Sequence, residues 1–69
     1  MKFSLIAVFQ IIRKDGLMVG YVKKAGTISI EKIEDFDEAT TKWVEAQRED
    51  VDYPSRVILS SLSHVLLPD

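Results

Sequence analysis

The sequence contains no cysteine, and only one histidine, one tryptophan and two prolines. Without thiols there is no disulfide framework and no thiolate zinc site. A single imidazole cannot build a histidine metal cluster either, so neither a metal nor another cofactor is expected. No stretch approaches the ~20 apolar residues of a membrane-spanning helix. The three glycines stand singly, which leaves no P-loop and no nucleophile elbow. Length is scarce too. The 69 residues allow one domain, residues 1–69, and a chain of this size buries only about 60% of its unfolded surface. So small a fold without staples depends on strong local signals, on oligomerisation or on a partner.

What is present is the mix of a soluble globular chain, 46% hydrophobic and 29% charged, rather than a disordered one. The net charge of −2 is too small to demand a nucleic-acid or membrane partner. The charges are nevertheless segregated. Residues 1–30 carry five cations against Asp15, whereas residues 31–52 carry nine carboxylates against Lys32, Lys42 and Arg48. The opening Met1-Lys2 and the apolar run that follows look slightly like a signal peptide. That run is short, is interrupted by Ser4 and Gln10, and precedes no small-residue cleavage site. The reading therefore places the chain in the cytoplasm.

Residues 3–12 (FSLIAVFQII) are rich in β-branched and aromatic side chains and read as a strand. Asp15-Gly16 signals a hairpin, because glycine accepts the positive φ that the turn requires. Residues 17–24 return as a second strand with Gly20 as a bulge candidate; Ala25-Gly26 breaks it, and 27–33 alternates as a third. One helix follows. Asp35 and Glu38 have the spacing of a capping box, and Phe36, Ala39, Trp43 and Ala46 fall on one face, with Val44 at its margin. Thr40, Thr41, Lys42, Glu45 and Arg48 point elsewhere. The helix fades at Asp50, and Asp52-Tyr53-Pro54-Ser55 is a turn. Residues 56–67 fit either a helical stripe or a strand. Three serines, Val57-Ile58-Leu59 and the preceding proline favour the strand. The expected fold is α+β: a small antiparallel sheet, in β-β-β-α-β order, with one helix packed on one face.

Little in the chain offers chemistry. His64 lies among Ser60, Ser61 and Ser63, but alternate strand residues face opposite ways, which separates the imidazole from Ser61 and Ser63. Asp35, Asp37 and Glu38 lack the spacing and turn glycine of a calcium loop. Arg13 and Lys14 sit at the hairpin tip and Lys23 and Lys24 at its far end, so they make no single cationic stripe. No catalytic residue and no metal ligand is expected, and an enzyme is the least favoured class. Binding is favoured instead. Strand 3–12 is apolar on both faces, with Ile6, Val8 and Ile12 opposite Phe3, Leu5, Phe9 and Ile11, although one helix covers only one face. The second face, or a strand edge, therefore suits another protein or a second copy in a homodimer. The acidic segment suits a cationic partner, against the plainer alternative of a solvated helix face.

The run Phe36-Asp37-Glu38-Ala39, followed by Trp43, Ala46, Pro54 and the Val57-Ile58-Leu59 strand, resembles small phage-encoded accessory proteins of host takeover. Inhibitors of bacterial RNA polymerase are among them. The likeness covers the layout of residues 17–66. The chain departs from the inhibitor pattern in lacking an arginine-rich final strand. The resemblance implies a short accessory factor that binds a host protein, in the host cell's cytoplasm, and modulates or inhibits it. The expected function is thus non-catalytic protein binding, with Glu38, Lys42, Glu45, Glu49, Arg13 and Lys14 as contact residues. The alternatives are a small nucleic-acid-binding module and a self-associating structural protein.

Overall fold

A computed structural model describes residues 1–51 and 56–68. Three strands form one antiparallel sheet: β1 (Lys2–Ile12), β2 (Met18–Ser29) and β3 (Arg56–Leu66). A 3-10 turn (Ile33–Asp35) leads into the helix α1 (Phe36–Asp50) between β2 and β3. The sheet order is β2-β1-β3, so the most apolar strand is central. Both outer strands run antiparallel to it. β2 and β3 are therefore parallel to each other, and β2-α1-β3 is a crossover that skips one strand. The fold is the expected α+β sheet with one helix on one face. The turn expected at Asp52-Tyr53-Pro54-Ser55 lies outside the described residues.

The segment 56–67 is a strand, as its composition favoured. The hairpin also forms where Asp15-Gly16 placed it. Gly16 has φ +87°, its amide donates to the Arg13 carbonyl, and the Arg13 amide donates to the Leu17 carbonyl. The bulge lies beside Gly20 rather than on it. Val19 is the unpaired residue between the pairs Ile11–Gly20 and Ile12–Met18.

Two expected strands are one. β2 runs through Ala25-Gly26 without a break, pairing Ala25 with Ile6 and Gly26 with Leu5. Gly26 serves a close approach instead of a turn. A Cβ there would sit 2.8 Å from Trp43 Nε1, so only glycine lets the indole come this close to the strand. The strand stops at Ser29, before the residues expected to complete a third.

The helix start also differs from expectation. No side chain caps α1, because Asp35 already has helical dihedrals (φ −84°, ψ −3°). A capping side chain reaches back from an extended residue, and the 3-10 turn removes that geometry. Asp37 and Glu38 still lie at the positive end of the helix dipole. The buried stripe is rotated by a fraction of a turn. Thr40 and Val44 are buried, Phe36, Ala39 and Trp43 are half-buried, and Ala46 is exposed. The core joins two clusters along β1. Phe3, Leu5 and Ile30 pack with Phe36, Ala39 and Trp43, while Ala7, Phe9 and Val44 pack with Leu59 and Leu62. Phe9 and Leu5 are fully buried, each burial stabilising by about 1.5–3 kcal/mol.

Candidate protein-binding surfaces

The helix sets the first surface. Glu38, Lys42, Glu45 and Glu49 recur at steps of three and four residues and are all exposed, so they share the solvent side of α1. Part of this charge is neutralised in place. Lys42 pairs with Glu38 at 3.0 Å, and Arg48 donates to both Glu45 oxygens at 3.0 and 3.1 Å. At the C-terminal end Lys24 Nζ donates to Asp50 at 2.7 Å, offsetting a carboxylate against the negative pole of the dipole. The ammonium holds the Asp50 carboxyl below its usual range. All eight carboxylates from Glu31 to Asp50 are exposed.

Arg13 and Lys14 occupy a separate surface. The core contacts of α1 reach β1 from Phe3 to Phe9, and the hairpin tip projects past them. There Arg13 forms an ion pair with Asp15, and the Leu17 amide donates to the same carboxylate. The guanidinium is the main reason the Asp15 carboxyl titrates below its usual range. The tip thus holds a local network of Arg13, Asp15 and Leu17, with Lys14 beside it. The six residues expected as contacts fall in two groups, the helix four and the tip two.

The third surface is the sheet face turned away from α1. The register places Ile6 and Val8 of β1 between Ala25 and Lys23 on β2 and Ser63 and Ser61 on β3. Tyr21, Ile12, Ile58 and Val65 extend the same face. Exposures are 37% for Ile6, 58% for Tyr21 and 63% for Val65. Its charged members are Lys23 and Arg56 on the edge strands and Lys2 at the end of β1, and no carboxylate is among these residues. Ile6, Val8 and Ile12 carried this signal in the sequence. Tyr21 and Val65 did not, because a face becomes visible only once register aligns three strands.

His64 packs edge-on against Phe36, with ring centroids 5.0 Å apart, on the helix side of the sheet. Ser61 and Ser63 pair with Val8 and Ile6 and point to the opposite side. Among the described residues no group of three histidine, aspartate or glutamate side chains is arranged to hold a metal. Among them also, no helix is long and apolar enough to cross a membrane. No family model, curated protein or solved structure matches the chain.

Proposed function

We propose that this chain is a non-catalytic protein-binding module that modulates or inhibits the protein it docks on, as a phage accessory factor acts on a host protein in the cytoplasm. One observation carries the reading. Seven exposed carboxylates between Glu34 and Asp50 outnumber two cations, Lys42 and Arg48, all mounted on one helix and its lead-in turn. The stripe Glu38, Lys42, Glu45 and Glu49 is the docking surface, and a cationic groove or patch is its counterpart. A rigid helix is suited to this, because its side chains are positioned before contact and little ordering cost remains. Long-range attraction raises the association rate and sets the orientation of approach.

Affinity capture from a bacterial lysate, with the chain immobilised, tests this reading. The expected partner is retained at ~0.05 M salt and released by ~0.5 M, where the screening length falls to a few ångströms. The variant Glu38→Lys/Glu45→Lys/Glu49→Lys should keep its circular dichroism spectrum, because exposed ion pairs contribute little to stability. It should lose the partner. Capture indifferent to both salt and charge reversal rejects the proposal.

A further inference from the structure

The folded chain is elongated. Its radius of gyration is 13.5 Å and its extents are 45 × 17 × 16 Å. A compact domain of this length has a radius of about 11 Å. The chain exposes 4940 Å², whereas a compact monomer of its mass exposes about 4,400 Å² by the usual scaling. An excess on the order of 500 Å² is therefore left in water. The open sheet face is of comparable size. Three strands ~4.8 Å apart and eleven residues long, at ~3.3 Å each, make a face on the order of 500 Å².

We infer that this face is covered by a second copy of the chain, sheet against sheet, in a two-fold dimer with the helices outward. Two such faces together bury about 1,000 Å², the threshold for a specific interface. The pattern suits it. Ile6 and Val8 lie mid-way along the central strand, while Lys23 and Arg56 lie on the edge strands and Lys2 at the end of β1, which gives an apolar centre and a charged rim. Two identically twisted sheets pack with their strands about 30° apart, so the face is complementary to itself. The occupant must also be present whenever the chain is folded, because a domain this small lacks cysteine staples and needs the added burial. A second copy meets that condition and an intermittent partner does not.

The dimer goes beyond the proposed function, since it uses the sheet face and leaves both acidic helices free. Each assembly then presents two docking stripes on opposite sides, and a divalent target gains avidity without new contacts.

Sedimentation equilibrium of the purified chain, from ~1 to ~500 μM, tests the inference directly. The expected result is a monomer–dimer equilibrium that holds or tightens as salt rises, because both rims carry like charge. Val8→Lys, at the centre of the face, should weaken association about a hundredfold by burying an unpaired ammonium. Val65→Lys, at a position already well exposed, should weaken it as well with its tryptophan fluorescence unchanged, so a failure of Val8→Lys to fold leaves the test intact. A monomer throughout the range overturns the inference, and so does a dimer that survives both substitutions. Hydrogen exchange separates one further arrangement. New protection confined to the outer-edge amides of Leu62, His64 and Leu66 would mean edge pairing and would reject the face-to-face dimer. None of these substitutions touches α1, so lysate capture reads the helix proposal independently.

Discussion

An alanine at Gly26 would bring its Cβ within 2.8 Å of Trp43 Nε1 and 3.1 Å of Cζ2, distances the indole can relieve only by lifting off the strand. Gly26→Ala should cost about 1–3 kcal/mol, the usual range for overpacking, with a red-shifted tryptophan emission. Urea unfolding followed by fluorescence checks both effects. Thr40 presents the opposite case. Its hydroxyl is buried and has no hydrogen-bond partner among the described residues. An unpaired buried hydroxyl costs about 1–3 kcal/mol, and valine has nearly the same shape and a comparable helix propensity. Thr40→Val should therefore raise the thermal midpoint, while Thr40→Ser, which keeps the hydroxyl and loses the methyl, should lower it. Calorimetry of the two variants decides the matter.

At the scale of elements, side-chain alternation and turn chemistry made β1, the hairpin and the single helix legible in the sequence. Two signals misled. Glycine after Ala25 reads as punctuation when no partner is in view, yet here it accommodates an indole from an element that begins ten residues later. Asp35 and Glu38 have capping-box spacing, but the box needs an extended residue at Asp35 and the 3-10 turn supplies a helical one. Thr40 lies off the apolar stripe expected from Phe36, Ala39, Trp43 and Ala46, yet it is buried, because burial on α1 follows the sheet's position. The pairing of α1 with β2 also predicts a pH dependence. Lys24 lowers the Asp50 titration from its ordinary value of 3.8. A carboxyl depressed in the folded state contributes stability that is present above the unfolded value and is lost as pH falls through the folded one. The contribution should thus hold at neutral pH and disappear below the ordinary aspartate range. Lys24→Met should return the Asp50 titration, followed by carboxyl NMR shifts, to its ordinary position.

For the whole molecule, the sequence showed that β1 has more apolar surface than one helix can cover, and the structure locates the remainder. That remainder belongs to a face assembled from residues distant in sequence. Ile6 adjoins Ala25 on one side and Ser63 on the other. No local window contains those three residues, which is why the interface emerges only from the register. The acidic stripe was legible earlier because it is local, with all four members within twelve positions of one helix.

The central position of β1 has a kinetic consequence. Its pairs with β2 begin at Ile12–Met18, six residues apart, whereas its pairs with β3 are separated by 44 residues at Ile12–Arg56 and 63 at Phe3–Leu66. Closing the nearer loop costs less entropy, so the hairpin leads and β3 docks late. Gly16→Ala, strained at a φ of +87°, should slow refolding, whereas Leu62→Ala should mainly speed unfolding; stopped-flow chevrons distinguish the two. During synthesis one flank of the first strand must then wait, unpaired, until the ribosome has released the last.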